Sequence, residues 1–339
     1  MRAVIFRGVG DVGVVDVDKP AAGFGEVVIR VKAALMCGTD VKMFRRGHPL
    51  VRPPRVIGHE YSGVVVDAGE ESGFNVGDRV AGVNSGPCME CGYCKSGREN
   101  LCTTLDEALI GFTCDGVFAE YCRIPKRVAR VNLLRIGDEL PFEEAAFLEP
   151  LSCVVHGLSR VNVSQAGEAA ILGSGSIGLM HLQVIKHRNP NARVWVFDPH
   201  WEKLEKAVRL GADKVVNIRE EDLRSYRRGF QLVVESVGRV EAWEDAVELV
   251  DKGGVVLFFG GCPKGTKLSL DTYKTHYEEL TLLGAFHHTP RDVKQALEMI
   301  KTGRLKLREL IGAEVSLEEI REGFEAMIAG RAAKVLVRP

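Results

Sequence analysis

The chain has 339 residues and a net charge of -1, with 45% hydrophobic and 27% charged residues. This length and balance predict a soluble globular protein of two domains. The near-zero charge argues against nucleic acid or an anionic membrane as a partner, and no apolar run is long enough to cross a bilayer. Nine cysteines without a secretory segment predict a reducing, cytoplasmic location.

Short apolar or alternating runs, separated by Gly, Pro and Asp, dominate the chain up to residue 150. Such runs predict strands, and their spacing favours a barrel-like all-β domain. The expected strands cover residues 3–6, 26–34, 61–68, 79–83 and 118–124.

Strands alternate with helical patterns from residue 168 onward, which is typical of a parallel sheet built from βαβ units. The expected strands are 169–172, 193–197, 214–216, 231–235, 255–259 and 281–285. Helices are expected over 177–188, 201–210, 240–250, 290–302 and 316–329, before a last strand at 334–337.

Four cysteines share one short segment with the spacing C-x2-C-x2-C-x7-C, namely Cys88, Cys91, Cys94 and Cys102. Thiolates are soft ligands that suit zinc, and four of them close its coordination sphere, which is typical of a structural site. A pair of disulfides is the alternative, and the lack of a secretory signal disfavours it. The spacing therefore predicts a structural zinc ion.

A G-x-G-x-x-G string runs from Gly173 to Gly178 between a predicted strand and a predicted helix. In that context the first glycine allows a sharp turn, the second lets the backbone approach a diphosphate, and the third permits close packing of helix on strand. The diphosphate then lies over the positive end of the helix dipole. The string alone is weak, but its position predicts a dinucleotide site.

Asp198 follows twenty residues after Gly178, at the end of the next predicted strand. A carboxylate there accepts hydrogen bonds from the ribose hydroxyls of NAD and repels the 2′-phosphate of NADP. A helix N-cap is the alternative role for Asp198. The pattern favours NAD as cofactor, with NADP as the lesser alternative. The expected cofactor-binding residues in this region are Gly173, Gly175, Ser176, Ile177, Gly178, Asp198 and Lys203.

Further metal-ligating side chains are dispersed along the chain. Cys37 opens a C-G-T-D motif, His59 and Glu60 belong to G-H-E, and Glu149 precedes a proline at the expected domain boundary. One cysteine, one histidine and one acid leave zinc a fourth position for substrate, as catalysis requires. Each residue alone has a structural alternative, but their joint presence with a dinucleotide motif favours a catalytic zinc ion.

These motifs together resemble the zinc-containing medium-chain dehydrogenases, and the resemblance covers the whole chain. It rests on C-G-T-D at 37–40, G-H-E-Y-S-G at 58–63, V-G-D-R-V at 76–80, the four-cysteine segment, E-P-L at 149–151 and the glycine string at 173–178. The stretch E-P-L-S is similar to the sorbitol and threonine dehydrogenase branch. The resemblance implies an α/β protein with a GroES-like β-barrel catalytic domain over residues 1–150 and 287–339. It also implies a Rossmann domain with a doubly wound parallel sheet over residues 151–286.

The resemblance implies two zinc ions per chain, one catalytic and one structural. Cys37 and His59 would bind the catalytic ion, with either Glu60 or Glu149 as the acidic ligand, a choice that stays open here.

The resemblance implies three supporting roles. Thr39 would lie beside the substrate oxygen and begin a proton relay, and Asp40 would orient the site from behind the ligands. Lys334 would reach the diphosphate of the cofactor. A homodimer or homotetramer is also implied, with residues 255–259 and 281–285 near the joining sheet edge.

The implied reaction transfers a hydride between a small-molecule secondary alcohol and NAD. A polyol, cyclitol or sugar derivative is the expected substrate and L-threonine the alternative. Lys42 stands where the sorbitol and threonine branches tend to carry histidine. With Arg45 and His48 it belongs to a basic segment that either binds an anionic substrate or faces water.

Three rival classes are weaker. A nucleic-acid-binding zinc module would carry clustered basic charge, whereas this chain is balanced. A zinc-free quinone reductase would lack the dispersed ligands, and a non-catalytic zinc-binding structural protein would bind one ion per chain.

Overall fold

The computed structural model describes the whole chain, Met1 to Pro339. The strands are β1 Arg2–Gly8, β2 Asp11–Asp16, β3 Val27–Met36, β4 Arg55–Val56, β5 Glu60–Ala68, β6 Arg79–Gly82, β7 Tyr121–Ile124, β8 Leu133–Arg135, β9 Glu168–Leu172, β10 Arg193–Asp198, β11 Lys214–Asn217, β12 Phe230–Glu235, β13 Val250–Phe258, β14 Thr281–Gly284, β15 Ala313–Ser316 and β16 Val335–Arg338. The helices are α1 Gly38–Arg46, α2 Gly92–Lys95, α3 Lys126–Asn132, α4 Phe142–Ala145, α5 Leu148–Ser159, α6 Ser176–Arg188, α7 Trp201–Arg209, α8 Val240–Leu249, α9 Thr272–Tyr277, α10 Pro290–Lys301 and α11 Ile320–Ile328. No helix has the length and apolarity that a membrane crossing requires.

The first compact unit comprises Met1–Ser152, His288–Gly303 and Leu307–Pro339. Its larger sheet has the order β15-β16-β3-β5-β6-β8, with β7 also paired to β3, and its smaller sheet has the order β2-β1-β4. Alternate residues of these strands point into one apolar core, because successive side chains of a strand face opposite sides. Phe6, Ile29, Tyr61, Phe118 and Phe324 are among its fully buried members.

The second compact unit comprises Cys153–His287 and Arg304–Lys306. Its six strands are all parallel, in the order β11-β10-β9-β12-β13-β14. The strand order reverses between β9 and β12, which is the switch point of a doubly wound Rossmann sheet. The carboxyl ends of β9, β10 and β12 therefore meet at the edge where such sheets bind nucleotides.

The strands predicted for the parallel sheet are confirmed, with small boundary differences. The strand predicted over 255–259 starts five residues earlier, at Val250 directly after α8, so Gly253 and Gly254 lie inside β13. The last helix also begins later than predicted, at Ile320, because Ala313–Ser316 form β15 beside β16. Pairing with a strand outweighs the local helical pattern there.

Helix α1 was not among the predicted elements. It begins directly after Cys37, at the end of β3, and the carboxylate of Asp40 accepts a hydrogen bond from the Cys37 backbone N–H at 2.8 Å. A carboxylate in the first turn satisfies an N–H group at the helix start, and its negative charge interacts favourably with the positive end of the helix dipole. The helix matters because it carries side chains of the candidate site.

Candidate active site

Strand pairing brings the dispersed ligands together. Strand β3 runs antiparallel to β5, with Leu35 opposite Glu60, so the end of β3 lies beside the start of β5. Cys37 follows that end, and His59 precedes that start. The ligand atoms of Cys37, His59 and Glu60 all lie within 4.8 Å of one another. A cysteine, a histidine and a carboxylate this close together form a donor set of the kind that binds catalytic zinc.

The approach to His59 depends on Gly58, whose φ is +91°. A Cβ atom built on Gly58 would lie 2.5 Å from the ring of Phe118, closer than any real packing allows. Only glycine combines this backbone conformation with this close contact. Gly58 therefore fixes the direction from which His59 enters the site.

Asp40 contacts two of the candidate ligands. Besides its bond to the Cys37 backbone, it places Oδ1 3.3 Å from Nδ1 of His59. Burial of His59 opposes its protonation, but the charge and hydrogen bonding of Asp40, together with those of Cys37, outweigh that effect and raise the pKa of His59 well above its ordinary value. A carboxylate at Nδ1 leaves Nε2 for a metal ion, and such partners orient metal-binding histidines. The supporting role expected for Asp40 stays a prediction, and this geometry agrees with it.

Glu60 is paired with Lys334. The two side chains are 0% and 1% exposed, and Nζ donates to both carboxylate oxygens. Burial acts to lower the pKa of Lys334, but the charge of Glu60, followed by those of Cys37 and Glu149, raises it. Strand β16 pairs with β3, with Val335 opposite Met36, which brings Lys334 to the same end of the sheet. The expected contact of Lys334 with a cofactor diphosphate stays a prediction.

The structure separates the two acidic candidates. Glu149 is buried near the start of α5, close enough to raise the pKa of Lys334, but it does not belong to the close group of Cys37, His59 and Glu60. Of these two acidic candidates, only Glu60 therefore shares a close group with Cys37 and His59.

The expected substrate-contacting residues have different exposures. Thr39 lies in the first turn of α1 and is half-buried, whereas Lys42 and Arg45 are exposed on that helix. His48 is half-buried and contacts the ring of Phe112 edge-on at 5.0 Å, and Phe112 lies 5.3 Å from the ring of His59.

Phe112 was missed by the sequence analysis. It lies in the loop between the four-cysteine segment and β7, 53 residues after His59 in a stretch without a motif.

Burial, followed by the charge of His59, lowers the pKa of His48, which agrees with the position of His48 near the candidate ligands. Of Lys42, Arg45 and His48, it is therefore His48 that the ring contacts place next to the candidate site.

The four cysteines form the lobe that their spacing predicts. Sγ of Cys94 lies 3.8 Å from Sγ of Cys88 and 3.6 Å from Sγ of Cys91. A tetrahedral zinc ion with bonds of 2.3 Å holds its sulfur ligands about 3.8 Å apart, so the cluster fits zinc and no cysteine is in a disulfide. The backbone N–H of Cys94 lowers the pKa of the Cys91 thiol to about 5. The thiolate that metals bind is favoured there.

The glycine turn has the shape of a diphosphate cradle. Gly173 has φ +92°, and a Cβ on Gly178 would lie 1.9 Å from the Gly173 carbonyl oxygen, so both positions require glycine. A Cβ on Gly175 would meet nothing within 4 Å, which leaves room for a ligand beside the start of α6. Ser176 and Ile177, half-buried, form the first turn of that helix. The residues present fit a dinucleotide.

Asp198 ends β10 beside this turn, as predicted. Its Oδ2 accepts a hydrogen bond from the backbone N–H of Ser174 at 2.9 Å, which ties the glycine turn to the next strand. Lys203 is half-buried in the first turn of α7. Both residues thus lie at or just after the carboxyl end of β10, the strand next to β9.

Two family models match the chain. The alcohol dehydrogenase GroES-like domain matches residues 23–133, and the zinc-binding dehydrogenase domain matches residues 176–302. An L-threonine 3-dehydrogenase of Deinococcus deserti is 31% identical over 336 residues, which cover 95% of this chain and 94% of that protein. The chain belongs to the zinc-containing medium-chain alcohol dehydrogenase family.

Solved structures of family members agree along the full length. A protein described as a zinc-binding dehydrogenase of Sinorhizobium meliloti, bound to NADP, is 30% identical with a TM-score of 0.93, covering 100% of this chain and 99% of that one. Galactitol-1-phosphate dehydrogenase of Escherichia coli is 26% identical with a TM-score of 0.90, covering 100% of both chains. The predicted combination of a GroES-like domain and a Rossmann domain is confirmed.

Proposed function

We propose that the protein is an NAD-dependent dehydrogenase of a secondary alcohol and that it binds a catalytic zinc ion through Cys37, His59 and Glu60. The observation that carries the proposal is the closeness of these three donors, within 4.8 Å, with Asp40 behind two of them. Three protein ligands leave one position of a tetrahedral ion open to substrate.

The bound groups would supply the two hard parts of the reaction. Zinc acidifies a bound alcohol, and NAD accepts a hydride from its carbon. The chain's own residues would bind and orient these groups and the substrate, and they would move the proton. Thr39 lies two residues after Cys37 and carries a hydroxyl that can both accept and donate, so it would take the alcohol proton toward solvent. Asp40 would hold the His59 ring in the orientation that exposes Nε2.

We further propose that the four-cysteine lobe holds a second, structural zinc ion. The sulfur separations of 3.6 and 3.8 Å support this reading, and a closed set of four thiolates leaves no position for substrate. The protein would then bind two zinc ions per chain.

We propose a polyol or sugar derivative, either neutral or carrying a phosphate or carboxylate group, as the substrate. Similarity to galactitol-1-phosphate dehydrogenase supports this class, as do Lys42 and Arg45 on the helix that begins at the zinc ligand Cys37. Charge-assisted hydrogen bonds from such side chains bind phosphate or carboxylate.

The basic residues can be tested directly. The double variant Lys42→Gln/Arg45→Gln should raise KM for an anionic polyol by about tenfold and leave kcat within about twofold, since it removes binding and not chemistry. Arg130→Gln, an exposed arginine of α3, is the matched control. Equal KM values in the two variants would show that Lys42 and Arg45 only face water.

L-threonine is the second candidate substrate, because several relatives of 28–31% identity are named L-threonine 3-dehydrogenase. NADH formation, followed by absorbance across polyols, cyclitols, sugar acids, sugar phosphates and L-threonine, decides between them. If only L-threonine is oxidised, L-threonine replaces the polyol as the proposed substrate. If zinc-loaded protein that binds NAD forms no NADH with any compound of the panel, both proposed substrates are wrong.

We also propose a homo-oligomer joined at the free edge of the parallel sheet. Strand β14 ends the sheet and pairs only with β13, so one side of its backbone is open to another strand. Light scattering coupled to size exclusion should give the mass of a dimer or tetramer, and a mass of 37.2 kDa would contradict it.

A further inference from the structure

The carboxylate of Asp198 is already engaged on both of its oxygens. Oδ2 accepts the backbone N–H of Ser174 at 2.9 Å, and Oδ1 accepts the backbone N–H of His200 at 3.0 Å. Oδ1 also lies 3.0 Å from Nδ1 of the same histidine. Asp198 is 5% exposed, whereas the side chain of His200 is 47% exposed. The end of β10 and the start of α7, here called this corner, therefore expose mainly the imidazole of His200 and little of the Asp198 carboxylate.

The partner of the carboxylate fixes the chemistry of the ring. A carboxylate oxygen can only accept, so Nδ1 of His200 must carry the hydrogen, and Nε2 is left as the outer nitrogen. A histidine side chain in this place can bind an anion by donating from Nε2, which a carboxylate cannot do. An aspartate without this partner would instead repel a phosphate.

Two further features of the corner favour an anionic or hydroxylated ligand. His200 directly precedes α7, a helix of nine residues, so the positive end of a helix dipole lies beside it, with Lys203 in the first turn. The hydroxyl of Ser174, next to Asp198, is 1% exposed and has no hydrogen-bond partner. A buried hydroxyl without a partner is unfavourable unless a ligand satisfies it.

We propose that His200 is a specificity-determining residue for the adenosine ribose of the cofactor and that it allows a 2′-phosphate to bind beside Asp198. The inference rests on the proposed dinucleotide function and deepens it. The chain prefers NAD because Asp198 accepts from ribose hydroxyls, and His200 sets how weakly NADP is rejected. The presence of Asp198 by itself therefore predicts a stronger preference for NAD over NADP than this site should have.

The test measures binding of two adenosine fragments, which needs neither zinc nor substrate. Calorimetric titration with AMP and with adenosine 2′,5′-bisphosphate gives one dissociation constant for each. In His200→Asn the bisphosphate should bind about tenfold more weakly, the size of one charge-assisted hydrogen bond, while AMP stays within about twofold. His200→Arg restores a cation and should keep the bisphosphate bound. His276→Asn, an exposed histidine of the same unit, is the matched control.

The outcomes separate the two proposals. Equal effects of His200→Asn on both fragments, or no effect on either, would overturn the role of His200 in specificity. If neither fragment binds the wild-type protein while the fold is intact by circular dichroism, the dinucleotide assignment itself fails, and the inference fails with it.

Discussion

Removing one member of the buried pair of Lys334 and Glu60 should strongly destabilise the first unit. Replacing Lys334 by Met keeps the length of the side chain but leaves a carboxylate that is 0% exposed without its cation. Breaking a buried ion pair on one side costs about 3–5 kcal/mol, because the remaining charge stays desolvated. For a domain of this size, each kcal/mol lowers the melting temperature by about 2–4 °C, so a fall of roughly 6–20 °C is expected.

Differential scanning calorimetry of chelator-treated protein measures this loss. Lys32→Met, on strand β3 of the same sheet, is the control and should change stability by less than about 0.5 kcal/mol. The double variant Lys334→Met/Glu60→Gln removes both charges and should recover most of the loss. Zinc should also reduce the loss, because a divalent cation near Cys37 and His59 neutralises the same carboxylate. A melting temperature for Lys334→Met equal to that of the control would refute the reasoning.

Two further perturbations address the zinc site and the glycine turn. Asp40→Asn cannot accept from both the Cys37 backbone and His59, so zinc affinity, measured by chelator competition, should fall about 10–100-fold; unchanged affinity would remove Asp40 from the site. Gly178→Ala places a methyl group 1.9 Å from a carbonyl oxygen of the turn, so NADH binding, followed by its fluorescence, should weaken at least about tenfold while zinc content is kept. Normal NADH affinity in that variant would contradict the cradle.

Local patterns were enough for some of these features. The four-cysteine lobe and the glycine turn each lie within one short segment, so spacing alone predicts which residues meet. The alternation of strands and helices likewise predicts the parallel sheet, because each βαβ unit is local in sequence.

Contacts between distant segments could not be read in this way. Lys334 and Glu60 are 274 residues apart and meet only because β16 and β5 both pair with β3. The same holds for Phe112, which joins His48 to His59 from a loop without a motif. Residue type gave no indication of these partners, since Lys and Glu are usually exposed.

The pairing of Asp198 with His200 is another contact that the sequence motif does not predict, although the two residues are close in sequence. Spacing correctly placed the carboxylate at the end of β10, but the role of its oxygens depends on a side chain two residues away. A sequence motif assigns a ligand to a residue type, whereas hydrogen-bond geometry decides whether that residue is available. Cofactor preference therefore cannot be read from Asp198 by itself.

The central claim is that two separate sites of this chain bind zinc, and metal analysis of the purified protein tests it most directly. We expect about two zinc ions per chain in the wild type and about one in Cys37→Ser and in Cys94→Ser, with dehydrogenase activity lost in Cys37→Ser because it would remove a proposed ligand of the catalytic ion. One zinc ion per wild-type chain, unchanged in Cys37→Ser, would contradict the catalytic site and leave only the four-cysteine lobe.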